Sequence, residues 1–141
     1  MSEILAVLAE LLETTGASRV TLRRALPGER AFPVVEEALA PGVGSLRDED
    51  TVHLQSQPVV LEIQRGRQVV QHDSATAYDD PAYQRMLSVY GGLAAQIVTP
   101  VMRDGTLEAI VSVHQLGTPR RWTDDEVAAA TRAVERVREL L

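Results

Sequence analysis

The sequence predicts an α+β fold, with an antiparallel β-sheet at the centre and an amphipathic helix from each chain end gathered on one face. Two observations carry this. Two β-prone runs, Ala95 to Met102 and Leu107 to His114, flank Arg103-Asp104-Gly105-Thr106, where Asp-Gly suits a two-residue turn that needs positive φ. Apolar residues also recur at helical spacing at both ends: Ile4, Leu5, Leu8, Leu11 and Leu12 in the first segment, and Val127, Ala130, Val134, Val137 and Leu141 in the last. At 141 residues and 45% hydrophobic content, residues 1–141 are expected to form one domain around its own core.

Each element has a local reason. Glu3, Glu10 and Glu13 occupy the polar side of the first helix, and Thr14-Thr15-Gly16 ends it. Ser18 to Arg24 alternates, with Val20 and Leu22 on one face and Arg19, Thr21 and Arg23 on the other, which predicts a strand. Leu26-Pro27-Gly28-Glu29 reads as a turn. A second strand is expected from Phe32 to Leu39 on the strength of Phe32, Val34 and Val35, although Glu36, Glu37 and Ala38 lean helical. Pro41-Gly42-Val43-Gly44 breaks the chain, and the polar stretch Ser45 to Gln57 is expected to be a mobile surface loop. Pro58 opens a short helix that stops at Arg65-Gly66, and Gln68 to Gln71 gives a brief strand. Asp79-Asp80-Pro81 starts another short helix carrying Tyr83, Met86, Leu87 and Tyr90, which Gly91-Gly92 stops before the hairpin. Thr123 is the expected N-cap of the last helix, with Asp124, Asp125 and Glu126 in the first turn and Glu126 at the capping-box position.

Composition excludes several functions. A net charge of -6, with basic residues dispersed among acids, argues against a nucleic-acid surface. With no cysteine there is no disulfide, thiolate nucleophile, thiolate metal site or thioether-linked chromophore. The apolar N-terminal stretch contains three glutamates and no basic flank, so neither a signal peptide nor a membrane span is expected, and the chain is read as cytoplasmic.

The order helix, two strands, helix, strand, helix, two strands, helix resembles the GAF domain family. The likeness runs through ASRVTLRR, FPVVEEALAPGVGSL, VVLEIQRGRQVVQHD, VTPVMRDGTLEAIVSVHQ and RRWTDDEVAAATRAV. It implies a GAF-like central sheet with terminal helices on one face and, on the other, a ligand pocket roofed by the middle helices and loops.

A two-residue turn at Asp104-Gly105 pairs Thr99 with Ile110, Ile97 with Ser112 and Ala95 with His114, and puts these side chains on one face. Gln96, Val98, Val111 and Val113 share the other, more apolar face, which suits packing under the terminal helices. The expected ligand-binding residues are therefore Ile97, Thr99, Ile110, Ser112 and His114, with His72 at the end of the third strand and Tyr83 and Tyr90 as roof residues. Arg23 is weighed as a partner for an anionic ligand against a solvated strand edge, the commoner fate of adjacent arginines. His53 is placed in solvent. His53, His72 and His114, with Asp73 to complete a shell, lack the spacing that puts two metal ligands on one helical turn, so no metal site is expected. Ser112 on a regular strand is no nucleophile, and no catalytic residue is assigned.

These readings converge on a small-molecule-binding and sensing domain that signals or regulates through its terminal helices and forms a homodimer through them, with its cofactor or ligand unnamed. The alternative is a small cofactor- or metal-dependent enzyme on the same fold, using His114 or His72. The cysteine-dependent methionine-sulfoxide reductases of the resembled family, and its members that bind bilin through a domain cysteine, are disfavoured because the chain has no cysteine.

Overall fold

The computed structural model describes residues 2–26 and 32–141. The elements follow in the order α1 (Glu3–Thr15), β1 (Arg19–Arg24), β2 (Val34–Leu39), α2 (Pro58–Gln64), β3 (Val69–Gln71), α3 (Pro81–Val89), β4 (Leu93–Arg103), β5 (Thr106–Leu116) and α4 (Asp124–Leu140). Single 3-10 turns lie at Leu54–Ser56 and Ser74–Thr76. The expected turn at Leu26-Pro27-Gly28-Glu29 lies, from Pro27 onward, outside the described residues.

The helix ends follow their local chemistry. Ser2 Oγ accepts from the Leu5 N–H at 3.0 Å to start α1. Gly16, at φ 62, closes the helix by donating its N–H to the Leu12 carbonyl at 2.8 Å. In α4 the two halves of the capping box are both made, Glu126 N–H to Thr123 Oγ1 at 3.1 Å and Thr123 N–H to Glu126 Oε1 at 2.9 Å. Asp80 Oδ1 caps α3 through the Ala82 and Tyr83 N–H groups at 2.8 and 3.3 Å. β2 is a strand despite its two glutamates, because pairing along β1 supplies the backbone partners that outweigh a weak helical leaning. The stretch from Ser45 to Gln57, expected to be a mobile surface loop, is instead tied down at both ends, since Leu46 and Gln57 are buried. Within it, Glu49 accepts the Thr51 and Val52 N–H groups at 2.9 and 3.0 Å and the Thr51 hydroxyl at 2.9 Å.

The five strands lie in the order β2-β1-β5-β4-β3, and every neighbouring pair is antiparallel. Asp104 and Gly105, both at positive φ, make the two-residue turn, and Arg103 faces Thr106 as expected. Beyond it the expected register fails. Met102 faces Leu107, but Val101 faces Ala109, so Glu108 is an extra residue in β5, a β-bulge. Past the bulge Ile97 faces Val113, Val98 faces Ser112, Thr99 faces Val111 and Gln96 faces His114. A one-residue slip inverts every side chain of one strand relative to the other. The faces predicted for β5 hold, and those predicted for β4 are reversed.

Two cores result, one on each side of the sheet. Under the terminal helices, Val20, Leu22, Ala95, Ile97, Val101, Val111 and Val113 pack against Val7, Leu8 and Leu11 of α1 and Ala130, Val134 and Val137 of α4. On the other side, Val34, Val98 and Ile110 pack against Val59, Val60 and Ile63 of α2 and Tyr83, Met86, Leu87 and Tyr90 of α3 and its end. Each fully buried aliphatic side chain contributes about 1.5–3 kcal/mol. No helix among the described residues is long and apolar enough to cross a membrane.

Candidate functional site

On the face away from the terminal helices, β1 presents Arg19, Thr21 and Arg23, and β5 presents His114, Ser112 and Ile110 directly opposite them. Gln96 of β4 faces His114, and Gln71 of β3 faces Gln96. One rung across four strands is therefore Arg19, His114, Gln96, Gln71, polar from end to end under a helical roof.

Arg19 is 1% exposed, and its donors are well matched. Nη1 donates to the Gly44 carbonyl at 3.0 Å, Nη2 to the Tyr90 carbonyl at 2.8 Å, and Nε to His114 Nδ1 at 3.1 Å. Burial lowers its pKa to about 10, with Glu37 pulling the other way, so the guanidinium stays charged at neutral pH. Glu37 itself accepts from the Ser45 hydroxyl and, at 3.2 Å, from the Leu46 N–H.

This fixes the chemistry of His114. A guanidinium can only donate, so Nδ1 must accept and the imidazole proton sits on Nε2. Burial, then the charges of Arg19 and Arg23, hold the pKa of His114 well below its ordinary value, so the ring is neutral. It stacks on Tyr90 with ring centroids 6.0 Å apart. A neutral ring with its only lone pair taken by Arg19 can offer a donor to a ligand, and it cannot act as a base toward one.

Arg23 donates Nη1 to the Phe32 carbonyl at 2.7 Å and Nη2 to the Tyr90 hydroxyl at 3.2 Å. Among the described residues it forms no ion pair with a carboxylate. Burial pushes the Tyr90 phenol up from its ordinary pKa, so it too remains neutral.

These groups surround a cavity of about 50 Å³ between the sheet and the roof. Arg23, Gln57, Tyr90, Gln96, Ser112 and His114 supply its polar lining, and Val59, Val60, Ile63, Met86, Val98 and Ile110 its apolar walls. Gln57 is 4% exposed, and among the described residues its Oε1 has no hydrogen-bond partner. Its Nε2 faces the Ala82 carbonyl at 3.4 Å, which sets the amide orientation. Arg23 and Leu54 also line a cleft of about 290 Å³ beside Phe32, Leu46 and Val52, so these two residues form the partition between the inner cavity and the surface.

Of the residues expected at a pocket, Ile110, Ser112, His114 and Tyr90 meet at this cavity. Ile97 does not: it is fully buried in the core under the terminal helices. Thr99 faces the same side, accepting from Gln68 Nε2 at 3.0 Å, which also reaches Thr131 Oγ1 of α4 at 3.3 Å. The bulge at Glu108 is the cause of both displacements. Tyr83 is buried in the roof, with its hydroxyl 2.8 Å from the Ser74 carbonyl and 3.1 Å from Gln71 Oε1, and does not line the cavity. His72 is exposed at the end of β3, where Nδ1 accepts the Trp122 N–H at 3.0 Å. His53 is on the surface, its Nδ1 2.9 Å from Ser56 Oγ. Among the described residues no three histidine or acidic side chains are grouped so as to hold a metal ion.

The sequence reading missed Arg19, Gln57 and Gln96. Arg19 sits on the polar face of an alternating strand, which ordinarily means solvent. Its only hint was that Thr21 and Arg23 share that face.

The structure is similar to the phycoerythrobilin-bound GAF domain of a cyanobacterial phytochrome, with a TM-score of 0.79 at 19% identity over 96% of this chain and 81% of that one. A GAF domain from Synechocystis sp. PCC6803 in its photoproduct state gives 0.77 at 19% identity, over 97% and 92%. The blue-light-absorbing form of the PixJ GAF domain of Thermosynechococcus elongatus gives 0.75 at 21% identity, over 97% and 83%. No curated protein matches the chain. The GAF domain family model matches residues 3–139, nearly the whole chain, and with the sheet order and helix placement described above the chain belongs to the GAF domain family.

Proposed function

We propose that this GAF domain binds a small molecule between the sheet and the α2–α3 roof and reports its occupancy through the terminal helices on the opposite face. The observation that carries this is the inner cavity, where a buried acceptor, Gln57 Oε1, stands unpartnered beside a guanidinium with donors to spare. Orphaned buried polar atoms cost folding free energy, and a ligand is one reason to keep them. The reading includes a homodimer joined through α1 and α4 and a cytoplasmic location.

Two similar structures carry phycoerythrobilin and biliverdin. A bilin held here would have to be noncovalent, because the chain has no cysteine, and it would have to open a cavity of about 50 Å³ to several times its size. Mass spectrometry of the protein as purified under native conditions, together with visible absorbance after incubation with biliverdin, tests the reading. A stoichiometric bound molecule supports it. A protein that carries nothing, and that no member of a broad small-molecule library stabilises, refutes it.

A further inference from the structure

We infer that the inner cavity is a subsite for a small hydroxycarboxylate, its acid group held by Arg23, Ser112 and the Nε2–H of His114 and its hydroxyl donated to Gln57 Oε1. This rests on the small-molecule reading above and gives it a ligand class.

The donor census points to an anion. A guanidinium has five N–H donors, and among the described residues those of Arg23 have two protein acceptors, the Phe32 carbonyl and the Tyr90 hydroxyl. Arg19, behind it, is matched by Gly44, Tyr90 and His114. Its role is to hold the His114 ring with N–H, not a lone pair, toward the cavity. The Tyr90 oxygen already accepts from Arg23, so its own proton is free to be donated. Ser112 adds a hydroxyl at the same wall. One buried cation, Arg23, and three neutral donors, Tyr90, Ser112 and His114, thus converge on the cavity. Two of the nearby acids are committed elsewhere, Glu37 to Ser45 and the Leu46 N–H, and Glu49 to Thr51 and Val52.

The remaining features narrow the class. Gln57 Oε1 can only accept, so the ligand carries a donor as well as an acid. Val59, Val60, Ile63, Val98 and Ile110 demand some carbon skeleton, which an inorganic oxyanion lacks. A cavity of about 50 Å³ has room for roughly four water-sized groups, which matches glycolate or lactate and excludes a drug-sized acid without reopening the roof.

Calorimetric titration of the full chain with glycolate, acetate, glycolamide and nitrate at fixed chloride tests this. Glycolate should bind about tenfold more tightly than acetate, which lacks the hydroxyl, and at least tenfold more tightly than glycolamide, which lacks the charge. Arg23→Lys should weaken glycolate binding and Arg23→Met abolish it. Gln57→Leu, which removes an orphan acceptor and should leave the fold intact, should erase the preference for glycolate over acetate. Should Arg23→Met fail to fold, the Gln57→Leu result decides. Glycolamide binding as tightly as glycolate overturns the carboxylate assignment, and nitrate outcompeting glycolate assigns the cavity to an inorganic oxyanion; both leave small-molecule sensing standing. If none of the four binds while the purified protein carries another molecule, the hydroxycarboxylate alone is refuted. If none binds and the protein is empty and unresponsive to the library, both readings fall.

Discussion

Arg19 connects three segments that are distant in sequence: the loop after β2 through Gly44, the end of α3 through Tyr90, and β5 through His114. Removing it leaves the buried Tyr90 carbonyl and the His114 Nδ1 without the donor they share, while the Gly44 carbonyl lies where water can reach it. Arg19→Met should therefore cost about 2–4 kcal/mol in urea unfolding, at about 1–3 kcal/mol for each buried polar group left unsatisfied. His114 adds a pH dependence. Its folded pKa is depressed, so below its unfolded value, about 6.5, the unfolded chain takes up a proton that the folded chain refuses. The stability this residue contributes is complete above that pH and is lost as pH falls, by up to ~1.4 kcal/mol per pH unit until the folded pKa is reached. His114→Asn should remove that part of the slope between pH 6.5 and 5, measured as the difference between the two proteins' urea midpoints. Identical slopes would show that the ring protonates freely in the folded state.

The β4–β5 hairpin shows how one backbone residue decides which side chains reach the cavity. Deleting Glu108 would restore the regular pairing of a two-residue hairpin and turn Ile97 and Thr99 toward the cavity, driving Gln96 and Val98 into the core under the terminal helices. Both faces are buried, so the deletion should abolish cooperative folding. Glu108→Ala, which keeps the extra residue and loses only a half-exposed pair with Arg103 at 2.7 Å, should cost about 0–1 kcal/mol. Thermal unfolding of the two variants separates backbone count from side-chain chemistry, and a stable deletion variant would show that the register is not set by the bulge. The turn itself was legible because Asp-Gly states its own φ requirement. The bulge was not, since what fixes it is remote: the Glu108 carbonyl accepts from the Ala25 N–H at 3.0 Å, across in the connection after β1. Caps, proline starts and helix stops were readable for the same local reason as the turn. Arg19 was unreadable because only the roof makes that strand face an interior, and no spacing within β1 reports the roof.

At the scale of the whole molecule, one sheet serves two unequal layers. The apolar stripes of α1 and α4 are largely spent on the sheet: Leu8, Leu11, Val134 and Val137 are buried in the core, while Ile4, Leu5, Leu12 and Val127 are only partly covered. Leu8→Glu would therefore unfold the protein through a buried carboxylate, whatever its oligomeric state. Ile4→Glu and Leu12→Glu are the variants that should convert a homodimer to a monomer in sedimentation, and a monomeric unmodified protein would remove the dimer from the proposed function. The opposite layer rests on α2 and α3, of 7 and 9 residues, each too short to be stable without its packing, and it encloses an incompletely paired cavity. α4, with 17 residues and a full capping box, is anchored independently of that cavity. Hydrogen exchange should accordingly find peptides 58–64 and 81–89 opening well before 124–140, as a sub-global unit of lower stability. A ligand that binds only the closed state, present at a hundred times its dissociation constant, should raise the opening free energy of the roof by about 2.7 kcal/mol, slowing exchange there about a hundredfold. Protection should extend to α1 and α4 only if occupancy is transmitted through the sheet. Simultaneous opening of both layers without ligand would mean that the roof is not a separable unit, and that the cavity opens only when the whole domain does.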